Sequence, residues 1–353
     1  MKKKILAGGA VLLAVILAGG GIAIWQMMNQ PLYEPGMVRA EKNLRGPLAP
    51  PQQTGDERFW NVEDDIRLYH FAAGTGRKVL IVHGGPGYPY TQPWAGLAPL
   101  TDAYQFIYYD QRGCGQSTRP IDRFESGNYY ENLLALDKTL GLGAQIADIE
   151  RTRRLVGEDK LILIGHSFGG FIASLYAAEF PEHIEALILI APANVLVMPV
   201  ESGDLFSEVR GRLPETMLSD YDDWQKRYFD YGNIFAKSDA DLAALNDEFA
   251  KYYQTAVAGP GPEAGKTGGW MVQAMYFSMG QRHDYSAALR NVAAPVLVIH
   301  GADDLQPEQA SRRYVEAFPD AQLKVIDHAG HFPFDTRPEA FAEVVRGFLD
   351  ELK

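Results

Sequence analysis

Among 353 residues the chain has a single cysteine, Cys114. A lone thiol excludes an intrachain disulfide framework and any CxxC metal or redox site, and it leaves the redox compartment unreadable from cysteine usage. No HExxH or comparable cluster points to a metal, and no cofactor is implied. A basic stripe is also missing. Lys and Arg number 33 against 45 Asp and Glu, for a net charge of −12, which argues against a nucleic-acid surface and favours cationic substrates. Internal repeats and low-complexity tracts are absent. The run "GPEAGKTGG" approaches a phosphate loop, but Pro260 stands where its first glycine is required and no strand precedes it.

What is present suffices for one large α/β domain with an insertion, or for two ordinary domains, since 46% of the residues are hydrophobic and 22% charged. At the N-terminus "MKKK" precedes "ILAGGAVLLAVILAGGGIAIW", residues 5–25, which carry no charge. About twenty such residues can cross the roughly 30 Å hydrocarbon core of a bilayer as a helix. Lys2, Lys3 and Lys4 favour a cytoplasmic N-terminus, although Arg39, Lys42 and Arg45 weaken the asymmetry. Residues 1–28 are therefore expected to be a signal anchor, with the remainder exported. A cleaved signal peptide, leaving the protein secreted or periplasmic, is the alternative, because Gly21 and Ala23 offer a small-x-small site. A packed soluble helix is a third reading. No cysteine follows the run, so nothing suggests lipid attachment. Residues 29–57, with "PLYEPG" and "GPLAPPQQTGDE", show little periodicity and are expected to be a linker that packs on nothing and holds a domain off the membrane.

Beyond the linker, strand-length apolar runs alternate with helical patterns: "KVLIVHGG", "QFIYYDQRG", "KLILIGHS", "EALILIAP", "APVLVIHGADD" and "QLKVIDHAGH". Nearly continuous Val/Ile/Leu runs suit strands covered on both faces of a parallel sheet, so the fold class is α/β. The alternation breaks over residues 195–288, where acidic, aromatic, helical text such as "SDYDDWQKRYFDYG" takes over. This reads as a helical cap inserted between two sheet strands, dividing a core of residues 58–194 and 289–353.

Ligands of open α/β sheets bind beyond the carboxyl ends of the strands, which brings the loops after these runs to one rim. Gly165-His166-Ser167-Phe168-Gly169 fits G-x-S-x-G between a strand and a helix-like stretch. A nucleophile elbow needs small residues two positions either side of its serine, because the strained turn brings strand and helix too close for side chains. A serine hydroxyl needs a base and an orienting acid, and in hydrolases of this class they follow in the order Ser, acid, His. His331, in the glycine-preceded loop "AGHFPF", is favoured as the base over His328 at the strand end. In "HGADDLQP" Asp304 is favoured as the acid over its neighbour Asp303. The Phe168 N–H is the first expected oxyanion donor, and "HGGPG" should supply the second, from Gly85 with Gly84 in reserve. His83 is expected to buttress that loop, and Cys114 to be a small loop residue.

"HGGPG", "DQRGCGQS", "DIERTRRLVG" and "AGHFPFDTRPEAF" together resemble the proline iminopeptidase family of α/β-hydrolases, over the catalytic core. The resemblance implies a Ser167-Asp304-His331 triad with Phe168 and Gly85 as the oxyanion hole, and a structural role for Asp110, Arg112, Gly113 and Gly115. It also implies an aminopeptidase that releases N-terminal proline or another small residue from short peptides, with cap acids binding the free amine. Asp204, Glu208, Asp222, Asp223 and Asp230 are the candidates. Many members carry Gly-Gly-Ser-Trp-Gly at the elbow, whereas Gly-His-Ser-Phe-Gly is shared with esterases, so a carboxylester hydrolase is the main alternative. A binding protein on a degenerate hydrolase fold is the other. The serine at position 167 argues against relatives with an aspartate nucleophile.

Overall fold

A computed structural model of the chain describes residues 29–201, 203–257 and 266–352. The expected anchor, residues 1–28, and Pro260 of the phosphate-loop look-alike lie outside the described residues. Among the described residues no helix is long and apolar enough to cross a membrane.

The described residues form ten strands: β1 (Phe59–Glu63), β2 (Ile66–Ala73), β3 (Arg77–Val82), β4 (Tyr104–Tyr109), β5 (Leu161–His166), β6 (Ile184–Ile190), β7 (Val197–Met198), β8 (His283–Asp284), β9 (Val296–Gly301) and β10 (Ala321–Ile326). Eight of them form one sheet in the order β1-β2-β4-β3-β5-β6-β9-β10. Pairing is antiparallel for β1 with β2 and for β2 with β4, and parallel from β4 through to β10.

Strand residues alternate between two apolar layers, as a two-residue period requires. Leu80, Val82, Leu163, Leu187 and Val298 face one layer, which contains the helix Phe168–Glu179. Val79, Ile81, Ile164, Ile188 and Ile299 face the other, with Trp94, Phe334, Phe341 and Val345. Both faces are thus covered, which is why these strands read as unbroken apolar runs.

Between β6 and β9 the chain forms the helices Leu205–Arg212, Glu215–Tyr228, Asp239–Ala256 and Trp270–Met279. The two ends of this excursion are pinned together by the β7–β8 pairing, Val197 opposite Asp284 and Met198 opposite His283. Buried Tyr221, Trp224, Tyr228 and Tyr252 hold the helices to one another, which explains the aromatic content of this stretch.

The expected linker is corrected. Residues 29–57 pack against the domain, with Tyr33, Val38 and Leu48 buried. The buried Glu179, at the end of the helix that follows Ser167, gathers the segment. Its carboxylate accepts from the Tyr33 hydroxyl at 2.9 Å and from the backbone N–H groups of Gly36, Val38 and Arg39 at 2.8, 3.3 and 2.9 Å. Further along, the Arg151 guanidinium donates to the carbonyls of Gly46 and Pro47 at 2.9 and 3.0 Å. A proline-rich stretch has few internal partners, but two charged groups of the domain satisfy its backbone from outside.

Candidate active site

β5 ends at His166, and Ser167 takes φ 54° and ψ −122° before the helix begins at Phe168. Such a conformation is strained for a residue with a Cβ and persists only where the surroundings fix it. Here the Ser167 N–H donates to the Ile190 carbonyl at 2.9 Å, and the Ser167 carbonyl accepts from Gly170 and Ala193 at 2.9 and 3.0 Å. The flanking glycines are required by contact. A Cβ on Gly165 would stand 2.5 Å from the Gly169 carbonyl oxygen, and one on Gly169 would stand 2.2 Å from that of Val82.

The acid and the histidine meet as the loop order requires. His331 Nδ1 lies 3.0 and 2.9 Å from the two carboxylate oxygens of Asp304, and both residues are buried. The Asp304 carboxylate also accepts from the Gln306 N–H at 2.9 Å, which fixes its plane. Asp303 is exposed, and so is His328, which occupies a left-handed turn at φ 58°. The turn after β9 therefore separates two adjacent aspartates, one into the site and one into water.

Ser167, Phe168 and His331 line one cavity of about 770 Å³ together with Gly84 and Gly85. Gly84 lies against Ser167: a Cβ there would meet Ser167 Cβ at 2.8 Å and the Phe168 nitrogen at 3.3 Å. Its carbonyl is held by the Tyr88 N–H at 3.1 Å and by His83 Nδ1 at 3.0 Å. His83 Nε2 accepts from the Gln111 N–H at 3.1 Å, so the proton resides on Nδ1 and donates to Gly84. In a trans peptide the N–H points opposite to the carbonyl, so the same contacts aim the Gly85 N–H away from them. Phe168 is the first residue of its helix, and its N–H has no intrahelical partner. Burial pushes the His83 imidazole down to about 4, so it stays neutral in this role.

Sequence reasoning missed one part of the site. His166, beside Ser167, is buried, and its Nε2–H donates to the His331 carbonyl at 2.8 Å while Nδ1 accepts from the Tyr90 hydroxyl at 2.5 Å. Burial, with His331 and His83 nearby, drives its pKa well below the usual histidine range. His166 is thus a neutral strut between the elbow and the loop of His331. The G-H-S-F-G spelling carried that signal, but its partners stand 76 and 165 residues away.

The cap acids divide. Asp204 lines the cavity and caps the helix Leu205–Arg212, accepting from the Ser207 N–H at 3.1 Å. The other four are not part of the described lining. Asp222 pairs with Arg210 at 2.7 Å, Asp223 with Lys226 at 2.8 Å, and Asp230 bonds Asn233 at 3.1 Å. Glu208 stands one turn beyond Asp204 on the same helix. The cavity wall is otherwise dominated by aromatic and aliphatic side chains such as Phe206, Phe249, Tyr253 and Phe277.

Arg112 and Asp110 lie outside the cavity lining. Arg112 is buried and bonds Asp148 at 2.6 Å and Glu63 at 2.8 Å. Asp110 holds the Gln116 N–H at 2.7 Å, and burial raises its carboxyl to about 6. Cys114 is buried against the Gln111 carbonyl at 3.2 Å. Thr267 of the phosphate-loop look-alike bonds Asp247 at 2.7 Å inside the cap. Among the described residues no group of three or more His, Cys, Asp or Glu could hold a metal ion.

Several curated relatives named proline iminopeptidase are 23–25% identical to the chain. The one from Saccharolobus solfataricus is 23% identical over 325 residues, covering 85% of this chain and 93% of its own. Among solved structures, a thermophilic esterase from Thermogutta terrifontis superposes with a TM-score of 0.53 at 21% identity, covering 81% of this chain and 94% of its own. A membrane phospholipase A described as a bacterial virulence factor gives 0.55 at 20% identity, covering 100% and 99%. Residues 78–338 match the family described by the alpha/beta hydrolase fold, and with the sheet order and the elbow in place the chain belongs to that family.

Proposed function

We propose that the protein is a serine hydrolase that cleaves carboxylic esters with an apolar acyl or alcohol group, and that residues 5–25 anchor it with the catalytic domain exported. Ser167 Oγ attacks the ester carbonyl and passes its proton to His331 Nε2, while Asp304 holds Nδ1–H and stabilises the imidazolium. The Phe168 and Gly85 N–H groups receive the oxyanion. His331 then protonates the leaving alkoxide, and a water activated by the same base releases the acid. The observation that carries the reading is a strained Ser167 and a buried Asp304–His331 pair meeting at one cavity with a mainly apolar wall.

The second reading, release of an N-terminal proline or another small residue from a peptide, draws on Asp204 in the cavity wall and on the relatives' names. Labelling by a fluorophosphonate probe that disappears in Ser167→Ala tests the nucleophile; a correctly folded protein that does not label is a binding protein instead. Turnover of p-nitrophenyl butyrate against proline p-nitroanilide separates the two activities, and arylamide turnover without ester turnover overturns the esterase reading.

A further inference from the structure

The catalytic cavity and the start of the described chain meet. Asn29 forms part of the cavity wall beside Met279, Gly280 and Gln281. Its carbonyl accepts from the N–H groups of Gln281 and Arg282, each at 3.1 Å. Leu32 and Tyr33 both donate to the Ser278 carbonyl, at 2.9 and 3.0 Å. Gly280 has no room for a Cβ, because backbone atoms of Gln30 and Pro31 would stand 2.7 Å from it. From Asn29 onward the junction has no slack.

Four residues before Asn29, at Trp25, the uncharged apolar stretch ends. Four extended residues reach at most about 14 Å. The headgroup layer on each side of a bilayer is roughly 5–7 Å deep. A chain held in a bilayer by residues 5–25 therefore places Asn29, and the cavity wall it forms, within or just beyond that layer. Had residues 29–57 been free, they would have let the domain wander by roughly 30 Å. Their docking removes that freedom.

We infer, resting on the esterase and anchor readings above, that the cavity is loaded from the membrane: its substrate is an acyl-ester lipid of the bilayer that holds the chain. The wall near Asn29, with Tyr276, Phe277 and Met279, offers an apolar lining for an acyl chain leaving the lipid layer. The ester then reaches Ser167 without its acyl chain crossing water.

The full-length chain is reconstituted in phosphatidylcholine vesicles of one acyl composition and mixed with protein-free vesicles of a second. Released fatty acids are identified by mass spectrometry, p-nitrophenyl butyrate turnover is followed in parallel, and flotation reports attachment. Fatty acid is expected from the host vesicles at least ~10-fold faster than from the others, because tethering raises the local lipid concentration. Inserting about twenty Gly and Ser residues between Met28 and Asn29 is expected to lower lipid hydrolysis about tenfold and leave butyrate turnover unchanged. Equal release from both vesicle populations, or butyrate turnover without any lipid hydrolysis, overturns membrane loading alone, whereas failure to float overturns the anchor reading and membrane loading with it. Loss of butyrate turnover and of fluorophosphonate labelling in the wild-type chain overturns the esterase reading, and membrane loading with it. The two-vesicle comparison needs only the wild-type chain, so it decides the matter even where the insertion variant misfolds.

Discussion

Replacing Glu179 should release the N-terminal segment while leaving the catalytic domain folded. The carboxylate is 1% exposed and receives four hydrogen bonds, three on one oxygen and one on the other. In Glu179→Gln the oxygen that serves three donors can be kept, but the new amide nitrogen then confronts the Arg39 N–H. One charge-assisted bond is lost and two donors face each other, a cost of about 2–3 kcal/mol. Glu179→Ala removes every acceptor at once. The orphaned groups would each cost about 1–3 kcal/mol if they stayed buried, so the segment instead leaves the surface and water takes the carboxylate's place. That escape caps the loss at the segment's docking energy, in which burial of the Tyr33 and Val38 side chains contributes about 1.5–3 kcal/mol each. Trypsin under native conditions reads the open population at Arg39, Lys42 and Arg45 when opening is fast relative to cleavage. A loss of 2–3 kcal/mol predicts cleavage there about 30- to 150-fold faster in Glu179→Gln, and faster still in Glu179→Ala. Cleavage in Glu179→Ala within about threefold of wild type would refute the claim that one carboxylate holds the segment.

Two further predictions concern the site. Asp304→Asn presents an amide to His331 Nδ1 and favours the wrong tautomer, so kcat on p-nitrophenyl butyrate should fall by roughly 10⁴-fold, whereas exposed Asp303→Asn should stay within about twofold; equal losses would mean that the pair does not orient the base. The buried His83 should make stability depend on pH, because its folded pKa of about 4 lies below the ordinary value of 6.5. Its contribution is intact above pH 6.5 and is lost as pH falls toward 4, where the unfolded chain binds a proton that the native ring refuses; this group alone removes about 2 kcal/mol by pH 5. Urea unfolding of wild type and His83→Gln at pH 7.5 and 5 measures the difference, and parallel pH dependence in the two proteins would contradict the assignment.

What the sequence disclosed was what local contact enforces. Strands β3 to β6 and β9 were legible because helices cover both faces, whereas β1 and β2 were not, since the first three residues of β1 are only half-buried and Arg67 and Ala72 of β2 are exposed. The elbow was legible because backbone contacts closer than 3 Å dictate its glycines. The choice between Asp303 and Asp304 rests on one turn, in which the Asp304 N–H returns to the Gly301 carbonyl at 3.0 Å and directs one side chain inward. Residues 29–57 misled because most of their donors to Glu179 are their own backbone N–H groups, which composition cannot reveal, and that glutamate stands at least 140 residues away.

The cap acids follow the same rule from the other side. Asp223 sits three residues before Lys226 on one helix, a pairing that spacing alone permits, so this candidate was open to subtraction from the sequence. Asp222 and Arg210 meet across two helices, 12 residues apart, and only the cap's packing brings them together. An excess of acid in an insertion therefore says little about amine recognition until these pairs are removed. Asp204 is the one of the five that keeps a place at the cavity wall, and there its carboxylate already caps a helix. The Ser207 N–H occupies one oxygen of that carboxylate and leaves the other able to accept from an ammonium group, so the proposed preference for esters rests on the aromatic and aliphatic remainder of the wall and not on Asp204.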